Sequence, residues 1–131
     1  MSLDEARSWW LETPPGVTVV ACSDDGTLLG SAKAGPNRPG RGSHVATASF
    51  MVTAAARRRG VGRALGKWAL DWAREQGYAA MQFNAVAATN TVAVARWQEL
   101  GFTVIGIVPE AFDSASHGRV GLHVMHRHLE A

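Results

Sequence analysis

The chain has 131 residues, 47% of them apolar, and a formal net charge of +2. That length suits one domain with a single core, and so mild a positive excess does not by itself argue for a polyanionic partner. A lone cysteine, Cys22, excludes an internal disulfide, no Cys/His cluster has zinc-ligand spacing, and no apolar run approaches the ~20 residues that cross a bilayer.

Met1 to Trp10 is polar and charged, which fits neither a leader nor a membrane span, so a reducing cytoplasm is the default location. Asp4 to Glu12 reads as a short helix with Trp9 and Trp10 near its end, stopped by Thr13-Pro14-Pro15-Gly16. Val17 to Ala21 is a β-branched, apolar strand signal, Asp24-Asp25-Gly26 a hairpin turn, and Leu28 to Ala34 the returning strand. Gly35 to Gly42 is a loop rich in glycine and proline. His44 to Val52 reads as the next strand.

A helix then starts at Gly60 or Val61. Val61, Ala64, Leu65, Trp68, Ala69, Trp72 and Ala73 recur at the spacing of one helix face, and Gly77 ends the pattern. Ala79 to Ala85 is a second apolar strand, and strand–helix–strand order predicts a parallel, right-handed crossover. Thr89-Asn90 opens another helix, which runs to about Leu100 and closes at Gly101. Thr103 to Val108 is a strand, Pro109 to Gly118 a loop, and Val120 to His128 a final strand antiparallel to the previous one. The expectation is one α/β domain over residues 1–131, with a mixed sheet and a parallel step in its middle.

The stretch ARRRGVGRAL carries the chemistry. Arg57, Arg58, Arg59, Arg63 and Lys67 crowd a junction where a strand ends and a helix begins. The first turn of a helix has free backbone N–H groups and a partial positive charge. Gly60 and Gly62 let an anion approach that backbone, and the arginines add charge-assisted hydrogen bonds. Phosphate or pyrophosphate fits the combination best. The stretch is neither a P-loop nor a dinucleotide fingerprint, since Leu65 stands where the third glycine would fall. Two other readings stay open. One is a solvated helix start. The other is a nucleic-acid patch, weakened by the lack of interleaved aromatics and of a wider basic face.

Arg57-Arg58-Arg59-Gly60-Val61-Gly62 fits the pattern Q/R-x-x-G-x-G/A at a strand–helix junction. Asn90-Thr91-Val92-Ala93, followed by Trp97 and then Leu100-Gly101-Phe102, fits a second pattern. With the two in this order, separated by a helix and a strand, the chain resembles the GNAT superfamily of N-acetyltransferases over roughly residues 17 to 128. The resemblance implies a mixed, mostly antiparallel sheet with a central parallel β-α-β step. Acetyl-CoA would lie where the strands His44–Val52 and Ala79–Ala85 splay apart. Arg57, Arg58, Arg59, Gly60, Val61, Gly62 and Arg63 would bind the pyrophosphate. The pantetheine arm would pair with the backbone of Met51, Val52 and Thr53 and touch Asn90, and the Val52 N–H would hold the developing oxyanion. A small-molecule or amino-acid-like amine would attack directly, with no acyl-enzyme and no metal, which leaves Cys22 as core filler.

Trp97 stands where the family often has a tyrosine acid. An indole N–H donates a hydrogen bond but cannot act as a general acid near neutral pH. Trp97 therefore reads either as a wall of the cofactor cleft or as a core aromatic. His44 is the leading candidate for the general base, with Glu110, Asp113, His117 and His123 as other polar candidates, although each reads more readily as a surface or strand residue. His126 and His128 share one strand face and read as structural, and Asn90 doubles as a helix N-cap. The family's usual strand and helix ahead of Asp4 are not in the sequence, so the acceptor side is expected to be open or completed by a second copy, with Trp9 and Trp10 at the dimer interface. Loops 35–42 and 109–118 are the candidates for acceptor contact. The competing reading is a GNAT-like module that binds CoA or acyl-CoA with weak or no catalysis.

Overall fold

The computed structural model describes residues 16–57 and 59–129, so the expected helix with Trp9 and Trp10, and also Arg58, lie outside the described residues. Strand β1 (Val17–Cys22) turns at Asp24-Asp25-Gly26 into β2 (Leu28–Pro36), with which it pairs antiparallel. Gly26 takes φ 86°, which glycine adopts without steric cost, and its N–H donates to the Ser23 carbonyl. Hydrogen bonds from the Ser23 and Thr27 side chains and the Thr27 N–H hold the Asp25 carboxyl down to about 2.

Strand β3 (Val45–Val52) pairs antiparallel with β2 and leads through a short 3-10 turn (Ala54–Ala56) into helix α1 (Val61–Glu75). Strand β4 (Ala80–Ala87), helix α2 (Thr91–Glu99), β5 (Thr103–Ser114) and β6 (Gly118–His128) follow. The sheet order is β1-β2-β3-β4-β6-β5, and β3–β4 is its one parallel pair. Among the described residues, no helix is long and apolar enough to cross a membrane.

Two expected loops are shorter than the sequence suggests. Strand β2 continues through Gly35 and Pro36, opposite Thr47 and Ala46. Residues 109–114 belong to β5 rather than to a loop, with a register shift between Val108 and Phe112. Pro109 cannot donate to a ladder, and Glu110 sits at φ 51°. An edge strand with a bulge accommodates both.

Both helices end in the same way. Gly77 (φ 84°) and Gly101 (φ 92°) follow the C-caps. The N–H groups of Tyr78 and Phe102 reach back to the carbonyls of Ala73 and Trp97, a Schellman closure that satisfies the last turn. Asn90 caps α2 at its start, its side-chain oxygen accepting from the Ala93 N–H at 3.2 Å.

The helices pack together on one face of the sheet. Ala69, Leu70 and Ala73 of α1 share a core with Met81 and Phe83 of β4, Trp97 and Leu100 at α2, Phe102, and Met125 of β6. Each large side chain buried there contributes about 1.5–3 kcal/mol. The predicted stripe on α1 is off at one position: Ala64 is exposed, whereas Gly62, Gly66 and Leu70 are buried. The small residues admit α2. A Cβ on Gly66 would lie 2.5 Å from Cζ3 of Trp97 and 2.9 Å from Leu100.

Candidate functional site

Strands β3 and β4 pair only at Val45↔Ala80 and Ala46↔Met81, although β3 runs on to Val52 and β4 to Ala87. Beyond Ala46 they part, and a cleft opens between them. Which groups of β3 line it follows from strand parity. The Thr53 N–H donates to Leu29 at 2.9 Å and the Val45 carbonyl accepts from Asn37 at 2.7 Å, so both residues address β2. Successive residues of a strand present their N–H and C=O to alternate edges. Thr47, Ser49 and Met51 therefore also address β2, while Ala48, Phe50 and Val52 address the cleft. The Met51 carbonyl lies 2.6 Å from where a Gly30 Cβ would stand, on the β2 side.

This corrects part of the expected backbone edge. Val52 presents its N–H to the cleft, but the backbone groups of Met51 and the N–H of Thr53 are turned to β2, the Thr53 carbonyl accepts from Ala56 in the turn that follows, and Ala48 and Phe50 take their place. Parity within a strand is fixed once one hydrogen bond is known, but nothing in the sequence fixed which residues face β2.

The 3-10 turn after Val52 carries the chain to α1. Gly60 is the N-cap, at φ 77°, and a Cβ on it would meet nothing within 4 Å. The first intrahelical bond runs from the Ala64 N–H to the Gly60 carbonyl at 3.0 Å, so Val61, Gly62 and Arg63 carry the free N–H groups of the first turn. Arg57 and Arg59 are exposed just ahead of them. The Arg63 side chain is committed elsewhere: its Nη1 lies 2.9 Å from Glu99 Oε2. With Lys67, Asp71, Arg74 and Arg127 this pair lines a groove of about 430 Å³ between α1 and the end of α2.

Gly62 differs from Gly60. A Cβ there would stand 2.6 Å from Nη1 and 2.7 Å from Cζ of Arg96. The guanidinium of an α2 residue thus fills the space left at the first turn of α1. Sequence reasoning missed Arg96, because only the packing of α2 on α1 brings it there.

Trp97 is 5% exposed, its ring 4.9 Å from Phe50, 4.9 Å from Phe83 and 6.4 Å from Phe102. It lies in the core beneath the Phe50 edge of the cleft, not on an open wall. His44 is not brought to Val52. It precedes β3, its carbonyl accepts from Ala79 at the paired end of the splay, and about 26 Å of extended chain separates the two residues. Glu110, Asp113 and His117 are exposed on the β5–β6 hairpin, where the Ser116 hydroxyl meets Nδ1 of His117 at 2.8 Å. His123 stands opposite Val86 at the open end of β4, and its Nδ1 is buried without a hydrogen-bond partner among the described residues. Cys22 is exposed at the end of β1 and is not core filler.

On the β4 side of the cleft, the strand is bulged between Phe83 and Val86. Asn84 donates to Asn37 Oδ1 at 2.6 Å, and Gln82 donates to Asn84 Oδ1 at 3.0 Å. The loop after β2 is thereby tied to the unpaired part of β4, which gives one of the two expected acceptor loops a contact at the site.

Known proteins share this architecture. The family model described as the acetyltransferase (GNAT) family matches residues 1–102. The N-acetyltransferase aca1 of Schizosaccharomyces pombe is 35% identical over 121 residues, which are 90% of this chain and 58% of that protein, so the chain spans little more than half the length of this relative. A GCN5-related N-acetyltransferase from Kribbella flavida superposes with a TM-score of 0.95 at 61% identity, covering 98% of this chain and 78% of that one. A phosphinothricin acetyltransferase of the GNAT superfamily from Sinorhizobium meliloti, solved in complex with acetyl-CoA, superposes with a TM-score of 0.86. At 22% identity, over 98% of this chain and 70% of that one, it shows the shared fold alone. A parallel pair that separates after two residues, a glycine-opened helix start beside it, and these matches together show that the chain belongs to the GNAT acetyltransferase family.

Proposed function

We propose that this protein transfers the acetyl group of acetyl-CoA to the primary amine of a small-molecule or amino-acid-like acceptor, by direct attack. The observation that carries the reading is the β3 edge. Val52 and Phe50 present unpaired backbone groups to the splay, and Val52 lies one short turn from the free N–H groups of α1. An extended pantetheine arm fits such an edge as an added strand. Open space at Gly60 fits a pyrophosphate at the first turn of α1. Acetyl-CoA supplies the activated thioester. The chain's part is to hold its phosphates, align the arm along β3, and aim the Val52 N–H at the thioester oxygen, where negative charge develops. Cys22, on β1 and two strands from the cleft edge, supports attack without an acyl-enzyme.

The remaining assignments belong to the same reading. The Arg57 and Arg59 side chains assist at the phosphates, with the backbone of Val61, Gly62 and Arg63 and the open Gly60. Asn90 caps α2 through its oxygen, and its exposed amide is available to the pantetheine arm. A second copy completes the acceptor side; β5, an edge strand of 12 residues with exposed Ile105, Ile107 and Phe112, supports pairing of this kind. The setting is a reducing cytoplasm.

A second reading, a CoA-binding module with weak or no catalysis, is favoured by one observation: the position of the family's frequent tyrosine acid holds a core indole. Thiol release from acetyl-CoA on a panel of small amines and amino acids separates the two. Release with at least one amine is expected. Thermal stabilisation by CoA without release on any amine would overturn the enzyme reading, and a duplex oligonucleotide is expected to leave melting unchanged.

A further inference from the structure

We infer that Arg96 binds the pyrophosphate of acetyl-CoA and clamps it against the first turn of α1; the inference rests on the site reading above. Three observations carry it. The guanidinium fills the position of a Gly62 side chain, which puts a fixed cation beside the free N–H groups of Val61, Gly62 and Arg63. The same guanidinium lies 5.7 Å from the Trp97 ring centroid, so a core-anchored indole supports it in place. Among the described residues, no carboxylate pairs with Arg96, whereas Arg63, on the turn itself, is held by Glu99.

A planar guanidinium presents parallel N–H donors that match two phosphate oxygens, and one held in advance loses little freedom on binding. This gives Gly62 a second reason to be glycine. Its missing side chain makes room for the cation from α2. Gly60, with nothing near it, is the glycine that leaves room for the ligand.

Titration calorimetry with CoA and with 3′-dephospho-CoA tests this on wild type, Arg96→Gln, Gly62→Ala, Gly60→Val and Arg74→Gln. Arg96→Gln is expected to weaken both ligands by at least about tenfold. Gly62→Ala pushes the same guanidinium aside from the other helix and should weaken both similarly, so the contact is read even where Arg96→Gln folds poorly. The two losses should not add in the double variant, because they remove one contact. Arg74→Gln, an equal loss of charge near the far end of α1, should bind as wild type.

A loss with CoA but not with dephospho-CoA would assign Arg96 to the 3′-phosphate and overturn the inference. Wild-type affinity in Arg96→Gln would also overturn it. In that case a loss in Gly60→Val leaves the backbone cradle standing. Undiminished binding in Gly60→Val would remove the cradle itself.

Discussion

The amide of Thr53 donates to the carbonyl of Leu29 at 2.9 Å, and this one bond fixes which edge of β3 faces the cleft. It spends the Thr53 N–H on β2 and leaves those of Phe50 and Val52 pointing into the splay. Native-state hydrogen exchange of the free protein should therefore alternate along the strand. Met51 and Thr53 should be protected, and Phe50 and Val52 should exchange faster. Equal protection at all four would mean that the cleft edge is paired.

Gly60 and Gly66 should respond to alanine for different reasons. At Gly60 the added Cβ has open space but φ 77°, and the left-handed region costs an L-residue about 1–2 kcal/mol. At Gly66 the backbone is helical, but the Cβ meets Trp97 at 2.5 Å and Leu100 at 2.9 Å, so overpacking should cost about 1–3 kcal/mol. Chemical denaturation separates the two by comparison with Asn, which tolerates positive φ: Gly60→Asn should recover part of the loss, and Gly66→Asn should be worse than Gly66→Ala.

Trp97 should behave as a core residue. Trp97→Ala should cost about 3–5 kcal/mol, the range for deleting a buried aromatic. Trp97→Tyr restores the phenol common in the family but puts it among Phe50, Phe83 and Phe102. It should lower stability without adding a new limb to the pH–rate profile. A gain in kcat with a new basic limb would show that the phenol reaches the leaving thiolate.

Burial, and then the neighbouring His128, hold His126 below its ordinary 6.5. Folding thus favours the neutral imidazole. The corresponding stability is present above the unfolded value and is lost as pH falls through the lower folded one. The rings lie 4.8 Å apart, so His128→Gln should move the His126 titration up toward 6.5 by NMR and flatten the acid-side loss. An unmoved His126 would leave burial as the sole cause.

Much of this was legible in the sequence for local reasons. The Asp24-Asp25-Gly26 turn, the Gly77 and Gly101 closures and the Asn90 cap each rest on one residue's own backbone or side-chain preference. The two motifs identified the fold because each marks a strand–helix or helix–strand junction. What the sequence hid depends on partners far along the chain. Parity at Met51 and Thr53 is set by β2 and the burial of Gly62 and Gly66 by α2, whereas the distance of His44 from Val52 follows from the predicted strand itself. The strand over residues 109–114 was hidden by Pro109, which reads as a loop unless its place on a bulged edge is known.

The central claim is that acetyl-CoA lies along the β3 edge with its pyrophosphate on the first turn of α1. Backbone amide NMR during an acetyl-CoA titration tests it most directly. The account predicts that the amides of Phe50, Val52, Val61, Gly62 and Arg63 shift together and saturate at one equivalent. Shifts confined to the groove around Lys67, Arg74 and Arg127, with Val52 and Gly62 unmoved, would contradict it.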